Sequence, residues 1–224
     1  MKKVNFHAAV VACIVGLSCA LSAYAGCPSG FYTPMGMTNP ANKKYAEAIH
    51  ELYAQQRTLN EWTAHFFAQH GIKYDRWNNT TTLFVTGKQR FPQFFNEYLA
   101  RQNPITSELM QLGQQYGLPT HESLGSLQLI NFFLLASWST DLPALNTIIG
   151  KFEQACHAGH KILCSALPVL MDRAQYMRSG TQQFGTIPHV PLNPVRTIAQ
   201  VNALRHHYDP ILPPISADCI QPRH

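Results

Sequence analysis

The sequence has none of the short motifs that announce a common chemistry. There is no HExxH, no GxSxG, no Walker loop and no GxGxxG. His50-Glu51 is followed by Ala54, where a zinc protease would need its second histidine. Charge is scarce as well: 13% of the 224 residues are Asp, Glu, Lys or Arg. So mild a balance excludes the heavily basic face that nucleic acid demands and offers nothing to an acidic polymer. After the first two dozen residues no second long apolar run occurs, so no membrane span is expected beyond them. No internal repeat stands out.

The opening residues carry the parts of a secretory signal. Lys2 and Lys3 form a positive start, Val10 to Leu21 is apolar and small, and Ala23-Tyr24-Ala25 is a small-x-small cleavage pattern. The run is shorter than the ~20 residues a span needs. Lipid attachment at Cys27 fits less well, because Tyr24 stands where such signals want an aliphatic residue. The expected mature chain begins at Gly26 and has 199 residues, the 224 less 25. It is a single mostly helical domain, 26–224, working in the periplasm or outside the cell. Of 17 basic residues, Lys2 and Lys3 leave with the signal, so 15 face 12 acidic ones. The Lys-Lys opening looks bacterial, so Asn78-Asn79-Thr80-Thr81 is not read as a glycosylation site.

Cys13 and Cys19 also leave, and Cys27, Cys156, Cys164 and Cys219 remain. An even number in an oxidising compartment reads as two disulfides. Three pairings are possible, and Cys156–Cys164 with Cys27–Cys219 is the one favoured. On one straight helix, eight residues would hold Cys156 and Cys164 about 12 Å apart, too far for a bridge. A break at Ala158-Gly159 would fold the chain back. Cys156, His157, His160 and Cys164 could also form a zinc set, but export favours oxidation, so no metal and no cofactor is expected.

Hydrophobic periodicity predicts an all-α bundle. Asn39-Pro40 starts a helix with Tyr45, Ile49, Leu52 and Tyr53 on one face. Residues 71–91 read as a surface insertion, irregular or a small hairpin, because Thr80 to Thr86 is a β-branched run closed by Gly87. Asn103-Pro104 is expected to open a helix carrying Ile105, Leu109 and Leu112. Leu124 to Trp138 is apolar nearly all round and should be central. A helix from about Asp141 follows. Ser165 is expected to cap the next one, with Pro168 in its first turn and a core stripe of Ala166, Leu167, Leu170, Ala174 and Met177. A long loop leads to a last helix around 195–208, where Arg205-His206-His207-Tyr208 reads as a solvated end.

Candidate chemistry gathers in one place: Leu170-Met171-Asp172-Arg173, then Gln182-Gln183-Phe184-Gly185-Thr186. This pattern resembles a bacterial family of unknown function, whose helix ends in Leu-x-Asp-Arg and whose loop reads Gln-x-Tyr-Gly-Thr-Gln ten residues after the Asp. Asp172, Arg173, Gln182, Gly185 and Thr186 match; Phe184 replaces the Tyr and Ile187 the final Gln. Tyr116-Gly117-Leu118-Pro119 upstream, and Asn202, Arg205 and Leu212-Pro213-Pro214 downstream, extend the likeness over about 103–215. Tyr45 to Arg57 is its possible opening helix. Ser137-Trp138 stands where the family usually has Gln-His, so any acid–base work by that His is lost here.

On a helical wheel Asp172 lies opposite the core stripe and Arg173 on its flank. Either Asp172 is solvated and Arg173 packs its stem, or the 182–186 loop folds back over the helix. The second is expected here: Arg173 holds loop carbonyls or a carboxylate, and a buried Arg-Asp-Gln network pins the loop. The five matched residues remain ligand-binding candidates beside that structural role. Two functions follow. The first is an exported interaction or effector-type protein without catalysis, its protein or small-molecule partner unidentified. The second is a hydrolase using Asp172 as acid or base, Arg173 as anion holder and Gln182 beside them. An enzyme would gather these groups in a concavity, whereas an interaction protein would expose an apolar patch, for which Trp77 is a candidate.

Overall fold

The computed structural model describes residues 39–74, 82–159, 161–187, 190–193, 196–208 and 214–215. Among them the protein is all-α, with no strand. The principal helices are α1 (Pro40–Gln69), α2 (Pro92–Gln115), α3 (His121–Ser137), α4 (Leu142–His157), α5 (Lys161–Ser179) and α6 (Ile198–Tyr208). None is long and apolar enough to cross a membrane. The chain divides into two compact units, with the boundary between Ile148 and Ile149, inside α4.

In the unit that ends at Ile148, α1 packs on α2 and α3. Asn39 caps α1 by accepting the Ala41 N–H at 2.9 Å, and Pro40 fills the first turn, where its missing donor is harmless. The inward face carries Tyr45, Ile49, Leu52, Leu59 and Phe67, all buried. Helix α2 begins at Pro92 and runs straight through Asn103-Pro104, so that pair opens no helix. The reason is phase. Phe94, Phe95, Tyr98, Gln102, Ile105, Leu109 and Leu112 form one buried stripe across Pro104, and Pro104 itself lies on the exposed face. Burial of the stripe outweighs the single hydrogen bond a proline withholds.

The centre of this unit is not wholly apolar. Gln56 and Gln102 exchange amide hydrogen bonds, 2.9 Å each way, and Gln102 Oε1 also accepts from the Tyr98 hydroxyl at 2.9 Å. Asn60 Oδ1 takes a further bond from Gln56 at 3.2 Å. All four are buried. The expected hairpin does not form in the described part of 71–91: Thr82–Gly87 coil as a π-helix that leads into a turn of α-helix, Lys88–Arg90. Leu83 there is fully buried, so the segment is anchored to the core by a side chain and not set on the surface. Helix α3 opens with reciprocal Thr120–Ser123 capping bonds. It bends at Gly125, whose φ of 69° suits a residue without a Cβ. As expected, α3 is buried on most sides, and Trp138 at its end is buried and stacks with Tyr53 at 6.1 Å.

The unit from Ile149 onward holds the rest of α4, then α5 and α6. Asp141 starts α4 by accepting the Ala144 N–H at 3.0 Å. At its other end Cys156 and Cys164 are disulfide-bonded, with Cα atoms 5.0 Å apart across the turn at Gly159. Helix α5 starts at Lys161, so Ser165 is a buried residue inside it and not its cap, and Pro168 lies well beyond the first turn. Tying Cys164 to the end of α4 draws helix up to the turn. Ala166, Leu167, Leu170 and Ala174 then supply the buried stripe that carries α5 through the proline. Cys27 and Cys219, and so their pairing, lie outside the described residues, as do residues 1–25.

Candidate functional site

The loop after α5 returns onto the helix, and it is Asp172 that holds it. Its Oδ1 accepts the backbone N–H groups of Gln183 at 2.6 Å and Phe184 at 2.8 Å. Its Oδ2 accepts the Thr186 N–H and the Thr186 hydroxyl, both at 2.8 Å. Four donors thus converge on one carboxylate that is 0% exposed. The loop folds back as expected, and the alternative of a solvated Asp172 fails for a simple reason. A helical wheel identifies the face turned to the core, but here the opposite face is covered too, by the chain's own loop. Burial pushes the Asp172 carboxyl above its ordinary range, while the bonds from Thr186, Phe184 and Gln183 pull it back. Since every neighbour donates, the ionised form is the one the cage fits.

Gln182 organises the other side of the loop. Its amide nitrogen donates to the carbonyls of Ile187 and Val190, both at 2.7 Å, and its Oε1 accepts the Ile187 N–H at 2.7 Å. Its backbone bonds to Pro191 and Asn193, forming an isolated parallel bridge with Leu192. Arg205, 2% exposed, donates to the Phe184 carbonyl at 2.7 Å from α6. The Phe184 carbonyl is therefore met by Arg205, and the carbonyls of Ile187 and Val190 by Gln182. Arg173 is itself buried on α5, and its charge favours the phenolate of Tyr176. Arg205 is no solvated helix end, although His206 and His207 beside it are exposed.

Gly185 has φ of 69°, and a Cβ there would stand 2.6 Å from Ile215 Cδ1. Ile215 is held in turn by Asn202, which accepts its N–H at 2.9 Å and donates to its carbonyl at 3.4 Å. Tyr208 packs edge-on against Phe184 at 5.5 Å. The five site residues named from the sequence are thus all placed in one region. Four of them, Asp172, Gln182, Gly185 and Thr186, build the loop's own hydrogen bonds and turn. Asn202 and Arg205, which belong to the downstream part of the family likeness, are parts of the same construction. For Arg205 the signal was its place one helical turn from the buried Val201 on a short helix.

No group of three or more His, Cys, Asp or Glu suited to a metal occurs among the described residues. The cysteines of the possible zinc set are joined to each other, and His160 lies outside the described residues. Leu127 is the one large apolar side chain exposed among the described residues, and Trp77 is not among them. The chain matches no family model, no curated protein and no solved structure.

Proposed function

We propose that this chain is an exported protein that works by holding a partner, without catalysis of its own. The observation that carries this reading is the saturation of Asp172. An acid or base must trade its proton with a substrate. The Asp172 oxygens already receive four short hydrogen bonds from residues 183–186 and meet no solvent. Gln182 likewise spends both ends of its amide on the loop. A cluster that satisfies itself so fully supports a scaffold role. The resemblance to a family of unknown function then concerns how this loop is built. The Cys156–Cys164 disulfide supports an oxidising compartment, in keeping with the signal-like residues 1–25.

Two measurements test the reading. The exported protein should have the mass of a chain that starts at Gly26, and a tagged version should retain a stoichiometric partner from the exported fraction. A retained Lys2-Lys3 leader, or lipid on Cys27, would overturn the export half. Turnover of a hydrolase substrate, lost in Asp172→Glu with an unchanged melting temperature, would overturn the non-catalytic half.

A further inference from the structure

We infer that Asn202 and the notch above Gly185 form a docking site for an extended peptide with a branched aliphatic residue, which the chain fills in cis with its own Ile215. This rests on the partner-holding reading above and names a chemical class for the partner. The side-chain amide of Asn202 meets both the N–H and the carbonyl of Ile215, at 2.9 and 3.4 Å. A residue turns both groups to one side when its backbone is extended, as in a strand. An amide that reads both is therefore indifferent to the side chain and recognises the peptide backbone itself.

Side-chain choice comes from the second element. The place where a Cβ of residue 185 would sit lies 2.6, 3.3 and 3.7 Å from Cδ1, Cγ2 and Cγ1 of Ile215. Only glycine leaves that space, and both branches of the isoleucine enter it. Ile215 is buried, whereas Pro214 before it is exposed. The floor is firm, because Asp172 fixes the backbone of residues 183–186 and Arg205 fixes the Phe184 carbonyl. A rigid loop facing a backbone-reading amide is a preorganised receptor. The tail contact then acts as an internal competitor that a longer peptide, with contacts on either side, displaces.

The test uses the full mature chain with Ile215→Asp, which expels the tail from the apolar notch. The probe is a fluorescent peptide of residues 211–218 of this sequence, followed by anisotropy. Binding should be at least ~10-fold tighter than to the wild-type chain, whose own tail competes. Asn202→Ala added to Ile215→Asp should abolish it, and so should Ala at the isoleucine of the peptide. Equal or absent binding to a folded Ile215→Asp chain would overturn the docking site. A partner still retained by that chain would at the same time leave the partner-holding reading standing. Should Ile215→Asp lose its helical circular dichroism, the same peptide with a photoreactive group at the isoleucine is titrated against the wild-type chain. Cross-links at Asn202 or residues 184–186 then support the site, and their absence sinks it.

Discussion

Asp172 shows how far one carboxylate can organise a loop. Each of its four bonds is short and charge-assisted, and such bonds contribute about 1.5–3 kcal/mol each when measured by removal. Asp172→Asn replaces one oxygen by an NH2 group, which must face two donors. Both bonds are lost, and the donors left behind are buried. The variant should therefore lose at least about 3 kcal/mol, measured by urea denaturation. Thr186→Val removes the hydroxyl bond alone and should lose about 1.5–3 kcal/mol. Gln183→Ala keeps the backbone N–H that Asp172 uses and should fall within about 0.5 kcal/mol of wild type. An Asp172→Asn variant as stable as Gln183→Ala would show that the cage is not what holds the loop. Sequence reasoning reached the right loop and the right helix here, but expected Asp172→Asn to matter little if the loop is only pinned. The spacing of Asp172 and Gln182 foretold a returning loop, but nothing local in Asp172-Arg173 reveals that the carboxylate is the group the loop's N–H groups close upon.

Helix existence was legible from periodicity, whereas helix limits turned on tertiary packing. Pro104 and Pro168 are the instructive cases. Both look like first-turn prolines, with Asn103 and Ser165 as natural caps, yet both lie inside helices whose apolar stripes continue in phase on either side. A stripe is a stronger signal than a breaker when burial supports it. The segment Thr82–Gly87 failed for the opposite reason: its β-branched composition suits a strand, and the burial of Leu83 decided otherwise. The polar pairing of α1 with α2 was also invisible, since Gln56 and Gln102 are 46 residues apart and read singly as surface residues. That pairing makes a prediction at the level of two elements. Gln56→Leu leaves the Gln102 amide buried with half its partners and should cost about 1–3 kcal/mol. Gln102→Leu should cost a similar amount and also strands the Tyr98 hydroxyl. The double variant should lose less than the sum of the two by about 1 kcal/mol, because neither glutamine then awaits the other. Strict additivity in a double-mutant cycle would mean that the reciprocal pair does not couple α1 to α2.

At the scale of the whole molecule, the tyrosines set the response to alkali, and they set it in one direction. Burial holds the Tyr45 phenol well above its ordinary value of 10.0, with its hydroxyl turned to the Gly117 carbonyl and its ring stacked on Tyr116 at 4.8 Å. Burial likewise raises Tyr176, against the opposing charge of Arg173. It raises Tyr208 with help from Glu153 and against Arg196. In each case the folded chain keeps a proton that the unfolded chain releases above about pH 10. The folded state then binds more protons, so stability must fall as pH rises. The contribution of these phenols is fully present below the unfolded value and is lost progressively above it. Tyr45, whose phenol burial holds far above 10.0, should sustain the decline longest, at up to about 1.4 kcal/mol for each pH unit. Denaturant midpoints followed from neutral pH to beyond pH 10 should be level across the ordinary tyrosine range's lower side and then drop. Phenolate absorbance should rise in two steps, the second coinciding with loss of helical signal. Tyr45→Phe keeps the stacking ring but has no proton to release, so its stability should decline less steeply above pH 10 than that of the wild type. If the two declines are parallel, Tyr45 ionises in the folded state and its burial does not set the alkaline limit of the fold.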